Sequence, residues 1–391
     1  MRRTGRALIA VLALLLLTSC AAAADALRPD PTWVPQPQGP PPADLPQPDQ
    51  GQSSAAPGRP GQTDGPEAGA EDDPNVVATN LTLPWGLAVL PDGTALVGER
   101  TTGRLLIVQP QRAPAKPVMT VPGLDGTGDG GLLGLALSPN YAQDQLIYAY
   151  VTTKTDNRVV RFALRGAVTP VLTGIPKGRT GNGGRITFGS DGTLFVGTGD
   201  AGRPALSADR RSLAGKVLRV TTFGRPAATN PDPASPVYSI GHGDIAGLCL
   251  TGTDQVYTTE PGRSLDEVNR VERGRDYGAP NGTRTGAAEP DRTVPAATGG
   301  VGGCAVIERG LFVTSTTGQR LYALPLDDSG HLGPPADYLA GAYGRLRTVV
   351  AGPDGALWLT TSNKDGAGKP TPQDDRVIRI LPPAGSTNSP A

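Results

Sequence analysis

This 391-residue chain has few side chains suited to acid–base or metal chemistry. It carries two histidines, His242 and His331, and three cysteines, Cys20, Cys249 and Cys304. That stock is too small for a zinc finger or a zinc protease. His331 closes the polar segment Asp328-Ser329-Gly330-His331 and reads as a surface residue. His242 follows Ile240-Gly241 and reads either as a loop or rim histidine or as a proton acceptor. Arg345 and Arg347 flank Leu346. In a strand, alternation places both on one face, as a shared anionic ligand requires; the other reading is two solvent-facing arginines at a strand edge.

The elements that would position these residues follow from composition. There are 54 glycines and 40 prolines, against 5 Phe, 3 Trp and 9 Tyr. Glycine and proline break element interiors, which excludes a mostly helical protein and leaves a disordered chain or a turn-rich all-β one. The 36 basic and 36 acidic residues cancel, so no basic footprint points to nucleic acid.

Part of the excess belongs to the N-terminus. Arg2, Arg3 and Arg6 precede an apolar run, Ala7 to Leu17, that is short for a membrane span. The run ends in Leu17-Thr18-Ser19-Cys20, which looks like a bacterial lipobox. Residues 1–19 then read as a lipoprotein signal peptide and Cys20 as the acylated residue. The expected location is the extracytoplasmic face of the cell membrane, with the lipid bilayer as partner. Thirteen prolines lie between Pro29 and Pro74, with no hydrophobic periodicity, so residues 20–74 read as a disordered tether. Residues 382–391 read as a disordered tail.

Residues 75–381 form the expected folded domain. A polar or glycine turn followed by a short β-rich stretch recurs six times: at Pro91-Asp92-Gly93, Pro139-Asn140-Tyr141, Ser190-Asp191-Gly192, Gly252-Thr253-Asp254, Glu308-Arg309-Gly310 and Pro353-Asp354-Gly355. Steps of roughly 45 to 62 residues suit one four-stranded blade each, hence a six-bladed β-propeller. A β-sandwich pair and a parallel β-helix fit less well, because a sandwich lacks six similar corners and a β-helix needs a shorter repeat. Cys249 and Cys304 fall in successive blades, where they form a disulfide or stay as two buried thiols; export favours the bridge.

Several segments then become recognisable. Leu83-Pro84-Trp85-Gly86-Leu87-Ala88, Gly130 to Pro139, Gly183-Gly184-Arg185-Ile186-Thr187-Phe188, Leu213 to Arg219, Asp266-Glu267-Val268-Asn269 and Tyr277-Gly278-Ala279-Pro280 occur in this order. The chain resembles the PQQ-dependent sugar dehydrogenases of the glucose/sorbosone dehydrogenase family. The segments around Thr155 to Arg161 and Ala201 to Ala208 look closer to a divergent group of actinobacterial lipoproteins related to it.

The resemblance implies C1 oxidation of aldoses with PQQ and calcium. It also implies a histidine base four residues before Arg185, where this chain has Gly181, which cannot take a proton. The resemblance assigns Arg345 and Arg347 to the cofactor, and Asp129 and Asp244 stand at two further cofactor positions, in place of a glutamine and an asparagine. Gly243 and Thr317 replace an arginine and a lysine. Glu267 and the Tyr277 carbonyl correspond to a structural calcium site, and Pro261-Gly262 is the reversed form of the pair expected at the cofactor's calcium. Three function classes follow. One is a tethered sugar dehydrogenase. Another is a non-catalytic propeller binding a carbohydrate, an envelope component or a protein. The third is a metal-dependent hydrolase, which needs Asp129, Asp200 and Asp244 to converge.

Overall fold

A strand far out in sequence closes this molecule. β1 (Val76–Ala78) pairs antiparallel with β24 (Val377–Ile380), so the first strand completes the last sheet. The structure is a computed structural model that describes residues 73–278 and 285–382, all within the unit Asp64–Ala391. The expected signal peptide, Cys20 and nearly all of the expected tether and tail lie outside the described residues. Among the described residues no helix is long and apolar enough to cross a membrane.

The described strands form six four-stranded antiparallel sheets. Blade I is β2 (Pro84–Val89), β3 (Ala95–Glu99), β4 (Arg104–Val108) and β5 (Lys116–Thr120). Blade II is β6 (Leu132–Leu137), β7 (Ile147–Thr152), β8 (Asn157–Phe162) and β9 (Thr169–Ile175). Blade III is β10 (Gly183–Phe188), β11 (Leu194–Thr198), β12 (Lys216–Val220) and β13 (Val237–Ile240). Blade IV is β14 (Gly247–Leu250), β15 (Val256–Glu260), β16 (Leu265–Val271) and β17 (Arg292–Pro295). Blade V is β18 (Val301–Ile307), β19 (Gly310–Ser315), β20 (Arg320–Pro325) and β21 (Ala336–Tyr338). Blade VI is β22 (Leu346–Ala351), β23 (Leu357–Thr361), β24 and β1. Innermost strands of successive blades touch in a closed ring, from β2 through β6, β10, β14 and β18 to β22 and back to β2. This is the expected six-bladed β-propeller.

Each of the six recurring turns joins the first strand of a blade to its second. The second strands β3, β7, β11, β15, β19 and β23 are buried along their whole length. They sit between two strands of their own blade and between the neighbouring blades, so both faces must be apolar or internally paired. In the Asp-Gly corners the aspartate receives the next strand's first N–H, as from Thr94 to Asp92 (2.9 Å) and from Thr193 to Asp191 (3.0 Å). The glycine between them takes the positive φ, +82° at Gly93. On the innermost strands glycine serves close approach instead. A Cβ on Gly86 would lie 2.4 Å from Leu133 O, and one on Gly134 2.3 Å from Gly184 O.

Cys249 of β14 and Cys304 of β18 are bridged, with Cα atoms 5.8 Å apart at a sequence separation of 55. The bridge links blades IV and V beside the buried residues Tyr257, Val301 and Val313. Reduction, or the double change Cys249→Ala and Cys304→Ala, is expected to lower unfolding stability by about 3–4 kcal/mol in the chain-entropy model. Urea unfolding with and without reductant measures this as a shift in midpoint at constant slope.

Candidate functional site

The innermost strands of five blades break register at one end. Bulges fall between Pro84 and Gly86, Leu132 and Leu135, Gly183 and Arg185, Val301 and Cys304, and Leu346 and Thr348. An extra residue per bulge bends the strand and re-aims side chains, here at one mouth of the central channel. Arg185 uses this freedom. Its guanidinium donates to Ala246 O (2.6 Å), Thr348 Oγ1 (2.9 Å) and Arg347 O (3.3 Å), and lies 3.6 Å above the Trp85 ring. One side chain thereby touches blades I, III, IV and VI. It forms no ion pair among the described residues. Burial, reinforced by the positive charge of Arg347, pulls its pKa well below the ordinary arginine value.

A second cationic group lies beside it. Arg345 and Arg347 both reach Asp365 Oδ2, at 2.9 and 3.5 Å. They meet there for a different reason from strand alternation. β22 begins at Leu346, so Arg345 precedes the strand, and the bulge before Thr348 disrupts the alternation. Neither is a solvent-facing edge residue, since their side chains are 14% and 26% exposed. Arg100 joins them: it donates to Gly128 O (2.8 Å) and Gly130 O (3.0 Å) and feels both Asp129 and Asp365. Two guanidiniums thus pair with Asp365 and a third lies within its electrostatic reach, positive charge suited to an anion. Thr317, where the resemblance expects lysine, is exposed beside this group; Thr316 O accepts from Arg345 at 3.4 Å.

Facing this cluster is an acidic wall. A cavity of about 480 Å³ is lined by Gly181, Asp200, Asp244, Glu260, Glu267 and the Pro261-Gly262 pair. The segment at the expected base position is built around glycine. Gly181 has φ +71°, and a Cβ there would lie 2.7 Å from Asp200 Oδ1. Asp129 stands behind the segment, accepting the Gly181 N–H at Oδ2 (2.8 Å) and the Asn182 side-chain amide at Oδ1. Burial raises the Asp129 carboxyl, and these hydrogen bonds oppose the rise. Asp244 is held by one oxygen only, as Oδ1 accepts the Gly183 N–H at 2.7 Å. Burial, then the charge of Asp129, then those of Asp200 and Glu260, push the Asp244 carboxyl up to about 7 against that hydrogen bond. Asp129, Asp200 and Asp244 therefore do lie within electrostatic reach of one another. Among the described residues, however, no three acidic, His or Cys side chains are arranged to hold a metal. That leaves the hydrolase reading without its donor set.

His242 lies in the loop between β13 and β14, but neither at a rim nor open to the channel. It is fully buried, with Nδ1 2.6 Å from Glu260 Oε1 and Nε2 2.8 Å from Ser239 Oγ. Its ring stacks on Tyr277 at 4.8 Å. Burial pushes Glu260 up, but His242, the Gly243 N–H and Thr258 outweigh it and hold the carboxyl below its usual range. The wedge thus orients Glu260 rather than acting on a ligand. Tyr277 is not among the cavity-lining residues: it packs behind His242, and its hydroxyl donates to Arg270 O at 2.8 Å. Glu267 stands instead with Pro261 and Gly262 on the cavity wall. A hard cation there would rest on Glu267 and backbone carbonyls. Asp266, which precedes Glu267, is buried and accepts from Gly262 N and Val301 N, both at 2.9 Å. A larger cavity of about 620 Å³, on blade I, is lined by the paired Glu99 and Arg104 but by none of these residues.

Two outcomes follow. Gly181→His will not restore a base; left-handed backbone strain alone is worth about 1–3 kcal/mol, and thermal unfolding is expected to show the loss. Asp244 has a raised carboxyl pKa in the folded state, so its own contribution to stability is fully present below about 4 and declines as pH rises to about 7. Asp244→Asn is expected to flatten that part of the melting-temperature profile and to melt above the parent at pH 8.

A family model described as glucose/sorbosone dehydrogenase matches residues 81–299. The structure is similar to the PQQ-bound aldose sugar dehydrogenase of Streptomyces coelicolor, with TM-score 0.75 and 41% identity over 78% of this chain and 96% of that one. It is also similar to an oxidoreductase described as a glucose dehydrogenase from Thermus thermophilus, with TM-score 0.72 and 38% identity over 78% and 98%. Quinoprotein glucose dehydrogenase B of Acinetobacter calcoaceticus is 30% identical over 250 residues, 54% of this chain and about half, 52%, of that protein. The channel mouth described above thus sits on a shared scaffold, and the chain belongs to the glucose/sorbosone dehydrogenase family of PQQ-dependent sugar dehydrogenases.

Proposed function

We propose that this chain is a lipid-anchored, extracytoplasmic propeller that takes up PQQ at its channel mouth and oxidises aldoses at C1 without a histidine. The observation that carries the reading is the polarity of the mouth. Arg100, Arg345 and Arg347 gather around Asp365, and opposite them Glu267, Pro261 and Gly262 line an oxygen-rich wall. PQQ bears three carboxylates, which match the guanidiniums, while its calcium partner matches the oxygen wall. When bound, PQQ supplies the two-electron oxidant. The acids at the drifted positions oppose such a ligand less than their formal charge suggests. Asp129 is occupied by Gly181 and Asn182, and Asp244 carries a proton for much of the time at neutral pH.

Gly181 favours a second reading. A segment that excludes a Cβ at the base position suits a propeller that binds a carbohydrate, an envelope component or a protein without turnover. An acylated Cys20 serves either reading.

Quenching of tryptophan fluorescence by PQQ, titrated with calcium present, tests the first reading. Saturable binding is expected, and Arg347→Ala should weaken it by about 10- to 150-fold, the equivalent of 1.5–3 kcal/mol for one charged hydrogen-bonding group. Binding without reduction of a dye by any aldose would favour the second reading, and no binding would remove the first. Cys20→Ser is expected to move the protein from the membrane fraction to the soluble fraction.

A further inference from the structure

A family member with glycine at the base position either has no proton acceptor or finds one elsewhere. We propose that Asp244 Oδ2 is the proton acceptor for the aldose C1 hydroxyl, working from the loop that follows blade III, in the cavity that Gly181 also lines. This rests on the PQQ reading given above.

Four observations carry it. Asp244 lines the same cavity as Gly181. The point where a Gly199 Cβ would lie is 2.0 Å from Gly181 O and 2.8 Å from Asp244 Oδ1, so the carboxylate stands directly beside the glycine segment. Its anchoring uses Oδ1 alone, through the Gly183 N–H, and leaves Oδ2 for a ligand. Of the other carboxylates nearby, Asp129 and Glu260 are engaged through both oxygens, by Gly181 and Asn182 and by His242, Thr258 and the Gly243 N–H, whereas Asp200 is held like Asp244 through Oδ1 alone, by the Gly202 N–H at 2.7 Å.

The charged groups facing Asp244 set its proton affinity. Asp129, Asp200 and Glu260 raise it, while the Gly183 N–H and the more distant positive charge of Arg347 favour the ionised form. The balance lies near neutrality, where a general base is most effective. In the step, the O–H bond at C1 breaks and its proton goes to Asp244 Oδ2. The C1–H electron pair leaves as hydride to the quinone, which is reduced by two electrons, and the C–O bond becomes a carbonyl.

Asp244→Asn is a sharp test, because asparagine is the residue that the family pattern expects at this position and it retains an acceptor for the Gly183 N–H. Three readouts are made on wild-type and variant protein with PQQ and calcium. They are PQQ binding by fluorescence, dye reduction with aldoses from pH 5 to 9, and carboxyl titration by NMR in ¹³C-aspartate-labelled protein without PQQ. The proposal expects the variant still to bind PQQ saturably and to lose turnover by about 100-fold or more. It also expects a wild-type carboxyl signal titrating near neutrality that is absent from the variant. Turnover unchanged in the variant, a wild type that binds PQQ but turns over no aldose, or no such carboxyl signal each overturns the assignment while leaving PQQ binding intact. Absence of PQQ binding in the wild type overturns both the assignment and the reading beneath it, and the fluorescence titration shows that outcome separately.

Discussion

One buried cation organises the centre of this propeller. The Arg185 guanidinium crosses the channel between blades III and VI, capped by two carbonyls, a threonine hydroxyl and the face of Trp85. A buried charge without an ionic partner is tolerated only when its donors are met, because desolvating an uncompensated ion costs several kcal/mol. The geometry of four blades is therefore tied to this side chain. Thr348 shows how tightly: its hydroxyl accepts from Arg185 and donates to Trp85 O at 2.6 Å. The crossing forms a floor to the mouth and adds positive charge next to Arg347.

The mouth divides into two halves of opposite sign. Its cationic half is conservative in kind, since three guanidiniums with one carboxylate call for an anionic ligand. Its acidic half has been rebuilt. Where the family places a histidine, this chain has a left-handed glycine pinned by Asp129 and pressed against Asp200. Burial, then the charges of Asp129, Asp200 and Glu260, push the Asp244 carboxyl up to about 7.

The sequence reported the architecture well because its signals were local. The recurring turns and the β-rich stretches after them mark the buried second strand of every blade, and in the three Asp-Gly corners glycine has a single conformational reason. The pairing of Cys249 with Cys304 also follows from their places in successive blades. What stayed hidden depends on distant partners or on register. Closure through Val76 to Ala78 joins strands some 300 residues apart. Bulges at the channel mouth shift residues relative to simple alternation, so the meeting of Arg345 with Arg347 had the wrong reason attached. Asp365 was overlooked because nothing around Ser362-Asn363-Lys364-Asp365 announces two arginines from another strand. His242 was misplaced because its partner, Glu260, is the last residue of a buried strand in the next blade. A carboxylate ending the β-rich stretch Val256-Tyr257-Thr258-Thr259 was the one available hint.

The central claim is that a quinone-binding mouth persists here with its proton acceptor moved to Asp244. A crystal structure of the protein with PQQ, calcium and an aldose tests this most directly. The account predicts PQQ carboxylates on Arg345 and Arg347, and the sugar's C1 hydroxyl within hydrogen-bond distance of Asp244 Oδ2. PQQ bound elsewhere, or an aldose whose C1 hydroxyl faces away from Asp244, would contradict it.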